Sequence, residues 1–93
     1  LAITDVTVID VLAGRRLRDR TVVIRDGRIR MIGPAGPDGL PIPSDARVLD
    51  GQGAFLIPGL WDAHVHLDLS DRGNRQTALP LLLAHGVTGV REA

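Results

Sequence analysis

The 93-residue chain contains no cysteine, no lysine and no tyrosine. Without cysteine there is neither a disulfide framework nor a thiolate metal site, so any metal held here takes nitrogen and oxygen ligands. All 11 basic residues are arginines, which removes lysine as a base or ligand within this stretch. They balance 11 acidic residues to a net charge of zero, and a neutral chain lacks the electrostatic footprint of a nucleic-acid or anionic-membrane binder. Long apolar runs are absent too. The longest, Ala78 to Ala84, has seven residues and includes Pro80, against the roughly 20 needed to cross a bilayer. The first residues carry no basic segment followed by an apolar core. The expectation is a cytoplasmic protein with no nucleic-acid and no membrane partner. The chain opens on Leu1 and stops at Ala93, directly after the strand-like Val87–Glu92, which leads us to expect a piece of a longer protein.

What is present is ordinary for a globular domain: 44% hydrophobic and 24% charged residues. Residues 1–57 read as five short strands joined by turns. Ile3, Val6, Val8, Ile9 and Val11 supply β-branched residues to the first. A second runs from Arg20 to Arg25. Asp26-Gly27 is the two-residue signature of a type I′ hairpin, which needs positive φ at both central residues. Gly27 to Gly33 returns as a third strand, with Arg28 and Arg30 on one face and Ile29 and Met31 on the other. Pro34, Pro37, Pro41 and Pro43 mark a loop. Ala46–Asp50 and Ala54–Ile57 complete an expected five-strand antiparallel sheet. A sheet with Phe55 as its one aromatic has a thin core and calls for a further layer. Pro58-Gly59 marks a domain boundary.

The most informative residues follow it. Leu60, Asp62, His64 and His66 share one parity of a strand; Trp61, Ala63, Val65 and Leu67 share the other and are all apolar. Side chains two apart on a strand lie on one face, with Cβ atoms about 6.5 Å apart, and two imidazoles so placed can converge on one ion held at about 2.0–2.1 Å. The opposite, apolar parity suits burial under a helix layer, with Trp61 in the core. A polar loop, Asp68 to Asn74, leads to a helix expected from Thr77, as N-cap, to His85, which places Pro80 in the first turn. Gly86 suits the C′ position, and Val87–Arg91 forms a second strand. Strand, helix and strand over about 33 residues make a βαβ unit with parallel strands.

Leu56-Ile57-Pro58-Gly59-Leu60-Trp61-Asp62-Ala63-His64-Val65-His66-Leu67 resembles the first barrel strand of the amidohydrolase superfamily of metal-dependent hydrolases. Asp26-Gly27-Arg28-Ile29 and Val48-Leu49-Asp50-Gly51 resemble that family's N-terminal β segment. Ala84 to Glu92 resembles the second strand of members akin to imidazolonepropionase and the metal-dependent Xaa-Pro dipeptidases. The resemblance implies an α/β fold: residues 1–57 as the N-terminal part of a small composite β-sandwich, and residues 58–93 as strand 1, helix 1 and strand 2 of an incomplete (β/α)8 TIM barrel. It implies that His64 and His66 ligate a divalent metal, zinc first, with one or two ions in the full-length protein. It also implies hydrolysis of a C–N bond, amide or cyclic amide, in a small-molecule substrate, and a homo-oligomer at full length. The further ligands, and the aspartate that moves the proton, would lie beyond Ala93, so the chain alone is expected to be inactive. No catalytic residue is assigned within it.

Each candidate has a plainer alternative. His64 and His66 could be a structural pair. Asp62 shares their parity, one step deeper, and could hydrogen-bond to the ligand histidines, or simply face solvent or cap the backbone. Asp68, Asp71 and Arg72, in the first βα loop, could touch substrate or form a solvated surface. Arg91 could meet a substrate carboxylate bidentately or pair with a barrel carboxylate. His85, at a helix C-terminus, is structural. The arginines of residues 15–30 read as a solvated sheet face. A second function class, a non-catalytic homologue or β module serving assembly, is opposed by the presence of both histidines.

Overall fold

A computed structural model describes residues 1–68 and 70–93. The chain divides into two compact units, Leu1–Ile57 and Pro58–Ala93.

The first unit contains β1 (Ala2–Asp10), β2 (Arg15–Arg25), β3 (Arg28–Pro34), β4 (Val48–Asp50) and β5 (Phe55–Leu56). The sheet order is β3-β2-β1-β4, with β5 also on β1. β1–β2 and β2–β3 are antiparallel, but β4 and β5 both run parallel to β1. The sheet is therefore mixed, not antiparallel throughout. The reason is local. β4 pairs with residues 2–4 of β1 and β5 with residues 7–8, so the two short strands follow one another along the same edge. The turn between them bonds to the main chain at a bulge, through Gly51 N–H to the Thr4 carbonyl and Gly53 N–H to the Asp5 carbonyl, each at 2.8 Å. Asp5 has φ +50°, a left-handed conformation that aspartate tolerates better than most residues, and the β1–β2 register slips between Ile3 and Val6.

The hairpin turn forms as expected, with Asp26 at φ +54° and Gly27 at φ +68°. β2 is longer than the sequence pattern suggests, starting at Arg15. Its apolar centre supplies the buried residues Thr21, Val22 and Val23, which join Ala2, Val6 and Val8 of β1. Ile3, Leu17, Ile24 and Leu56 pack around Val6, Val8 and Val22. β3 departs from the expected one-sided pattern: Ile29, Met31 and Ile32 are all exposed. Ile24 pairs with Ile29 and Val23 with Met31, so Arg30 is an extra residue in β3. A bulge of this kind breaks the period of two, placing Ile29 and Met31 opposite residues of alternate faces.

The second unit contains β6 (Leu60–Val65), α1 (Arg72–Ala84) and β7 (Val87–Glu92). β6 and β7 pair in parallel, and α1 packs on β7. The helix begins six residues earlier than expected. Asp71, not Thr77, is its N-cap and accepts a 2.8 Å bond from the Gly73 N–H. Pro80 therefore lies well inside the helix, where it leaves the Gln76 carbonyl without its usual donor. The polar residues 72–76 carry no apolar period to advertise a helix; the cap creates it. His85 is the C-cap and Gly86, at φ +81°, follows as C′. Trp61 lies against Gly89 of β7, where a Cβ would run into the indole. It is 74% exposed, so in this unit it is not the core residue the alternation suggests.

Two outcomes test this arrangement. Val22 is fully buried and Leu12 is 98% exposed. Val22→Ala should cost about 2 kcal/mol from lost transfer energy and the cavity left behind, while Leu12→Ala should change stability by less than about 0.5 kcal/mol; urea denaturation checks the difference. The Asp10 carboxylate accepts a 3.0 Å bond from the Ala13 N–H and faces Arg15 at 3.5 Å. The Ala13 bond chiefly, and the Arg15 charge after it, hold its pKa below the usual carboxylate range. A lowered folded-state pKa means that its stabilising contribution is complete above the ordinary carboxylate pKa and is lost as pH falls through the lowered value. Carbon-13 titration of Asp10 should give a depressed midpoint that Arg15→Ala raises only in part, because the Ala13 bond remains.

Candidate metal site

The two histidines sit at the C-terminal end of β6. His64 lies within the strand and His66 one residue beyond its last paired position, Val65. Their side chains converge. The Nε2 atoms are 3.2 Å apart, and the ring centroids are 5.0 Å apart with the planes at 75°. The contact is within hydrogen-bond distance, the donor being set by the tautomers of the two rings. The same arrangement suits a cation. A separation of 3.2 Å subtends about 100° at a point about 2.05 Å from both nitrogens, close to the tetrahedral angle of a zinc site. The imidazoles therefore fit two adjacent ligand positions. Among the described residues no third His, Asp, Glu or Cys joins them to form a three-ligand group, whereas zinc takes three or four protein ligands.

The backbone around the pair is irregular for a reason. Between Asp62 and Val65 the β6 strand carries one more residue than β7 does between Val90 and Glu92. The Asp62 carboxylate fills the gap in the ladder by accepting a 3.1 Å bond from the His64 N–H. Asp62, half-buried, thus reaches the main chain of a candidate ligand and not its ring.

A carboxylate that the motif does not advertise lies on the other side. Glu92, the last residue of β7, accepts from the Leu67 N–H at 2.9 Å through Oε1 and 2.8 Å through Oε2. The two residues are 25 positions apart, and only the parallel register of β6 and β7 could have revealed the contact.

The remaining candidates are more dispersed. Asp68 accepts bonds from the Ser70 hydroxyl and the Ser70 N–H, which lower its pKa, the hydroxyl most. Asp71 is committed to capping the helix. Arg72 opens α1 and lines a shallow, solvent-open depression with Arg75 and Gln76. Arg91 is exposed in β7. Among the described residues neither Arg72 nor Arg91 forms an ion pair. His85 turns its Nδ1 to the Leu81 carbonyl at 2.8 Å, a structural contact at the helix end. No helix among the described residues is long and apolar enough to cross a membrane.

Comparison with known proteins gives a consistent picture. No family model matches the chain. An adenine deaminase of Deinococcus deserti is 42% identical over 76 residues, covering 82% of this chain and 13% of that protein. An imidazolonepropionase of Stenotrophomonas maltophilia is 42% identical over 59 residues, 63% of this chain and 14% of that protein. Among solved structures, a protein assigned as a prolidase from Bifidobacterium longum superposes on 99% of this chain and 23% of its own length, with a TM-score of 0.83 and 33% identity. The chain belongs to the amidohydrolase superfamily. It spans about one-seventh of the length of these curated relatives.

The Asp62 bond has a measurable consequence. Asp62→Ala leaves the His64 N–H without its acceptor, which should cost about 1 kcal/mol and speed exchange of the His64 amide, while Asp62→Asn, which keeps an acceptor oxygen, should preserve most of the protection.

Proposed function

We propose that this chain is the N-terminal portion of a metal-dependent hydrolase of C–N bonds, amide or cyclic amide. The observation that carries the reading is the convergence of His64 and His66 at the end of a strand paired in parallel with its successor. In this reading residues 1–57 are the first part of a composite β-sandwich, and residues 58–93 are the first strand, helix and second strand of a (β/α)8 barrel. Parallel barrels carry their chemistry at the C-terminal ends of their strands, which is the end of β6 that bears the histidines. The membership of the superfamily supports the same placement.

His64 and His66 would hold a divalent cation, zinc first, through their Nε2 atoms. Such an ion supplies Lewis acidity toward a scissile carbonyl and toward a water molecule. The chain's own contribution is to bring the two imidazole Nε2 atoms together at the strand end. Arg72 and Arg91 are assigned to substrate contact, Arg91 toward a carboxylate. The substrate is a small molecule, the protein cytoplasmic, and the full-length form a homo-oligomer. The remaining ligands, whether for one ion or two, and the proton-transferring aspartate belong to residues beyond this chain.

Metal content of the full-length protein tests the reading. Wild type should retain divalent metal after dialysis, and the His64→Ala/His66→Ala double variant should lose most of it together with amide hydrolysis. Equal metal in both would overturn the assignment.

A further inference from the structure

We propose that Glu92 is a positioning residue for His66, a role that rests on the metal-site reading above. The two peptide groups flanking His66 are both held by the end of β7. On the N-terminal side the Val65 carbonyl accepts a 2.8 Å bond from the Ala93 N–H. On the C-terminal side the Leu67 N–H donates to the Glu92 carboxylate, at 2.8 and 2.9 Å. The Glu92 side chain thus reaches the main chain at the point where β6 gives way to the polar loop. Fixing the peptides on both sides of a residue fixes the direction of its Cα–Cβ bond, and with it the approach of the imidazole.

The consequence is specific to His66. His64 has its own N–H bonded to Asp62, whereas the peptide groups on either side of His66 bond to the end of β7. Without Glu92 the peptide group after His66 would lose the bond made by the Leu67 N–H. The 3.2 Å approach of the two Nε2 atoms would then be one of several arrangements. Reach, not charge, is what the role demands: an acceptor oxygen must extend from β7 to the Leu67 amide.

Glutamine keeps that reach and loses the charge; aspartate keeps the charge and is one methylene shorter. Zinc affinity of the full-length protein, measured by competition with a chromophoric chelator, should be within about threefold of wild type for Glu92→Gln. It should fall about 10- to 100-fold for Glu92→Asp, the usual effect of disturbing a partner that orients a ligand. Exchange of the Leu67 amide in the metal-free protein should follow the same order, protected in Glu92→Gln and fast in Glu92→Asp. The reverse ranking, or wild-type affinity in Glu92→Asp, would overturn the positioning role. His66→Ala is the reference. If it binds zinc like wild type the metal-site reading itself fails, whereas zinc loss in His66→Ala with full retention in Glu92→Asp rejects the role of Glu92 alone.

Discussion

The parallel pairing of β6 with β7 is the constraint on which the histidine site depends. A His-x-His sequence by itself sets only a shared parity, and parity is a property of an extended chain, not of an isolated tripeptide. The pairing supplies the extension through Leu60, Asp62 and Val65. The two rings approach within 3.2 Å where other groups bond to the main chain of the strand end: a carboxylate on the amide of His64, and the end of β7 on either side of His66.

The same irregularity separates what the sequence discloses from what it hides. Period-two reasoning identifies the strands of residues 1–57 and the hairpin at Asp26-Gly27, because turn chemistry and β-branched residues are local signals. It fails at bulges. Arg30 is inserted in β3, so the alternation of arginines with Ile29 and Met31 does not become a buried face and a solvated one. Asp5 and Asp19 take positive φ near register slips in β1 and β2, and no composition signal distinguishes them from other exposed aspartates. Strand direction was equally hidden. β4 and β5 run parallel to β1 because the Gly51–Gly53 turn bonds to the Asp5 bulge, a contact across nearly fifty residues.

In the second unit the apolar spacing marks the helix where it carries leucines and misses its beginning. Asp71 starts the helix six residues before Thr77 by accepting from Gly73, and the turns it nucleates consist of arginine, glycine, asparagine and glutamine. Once the helix starts there, Pro80 is interior, and the cost of a missing donor must be offset by the cap, the packing on β7 and the Gly86 termination. The histidine pair was legible because both residues and their spacing are local. Glu92 was not, because its role exists only in the register of two strands separated by a helix.

Two carboxylates beside the pair, Asp62 and Glu92, follow one logic. Asp62 and Glu92 could each be read as ligands, being acidic and close to the histidines along the chain or across the ladder. Both instead accept from main-chain amides, those of residues 64 and 67. A carboxylate so engaged is held in place by a charge-assisted bond and is not free to swing into a ligand position. It nevertheless leaves a negative charge beside the strand end. A cation arriving between the imidazoles would meet neutral nitrogen donors directly and carboxylates one peptide group away. Direct carboxylate ligation would occupy a coordination position. In the proposed metal site, carboxylates on the backbone would orient the nitrogen donors and leave the remaining positions to other ligands.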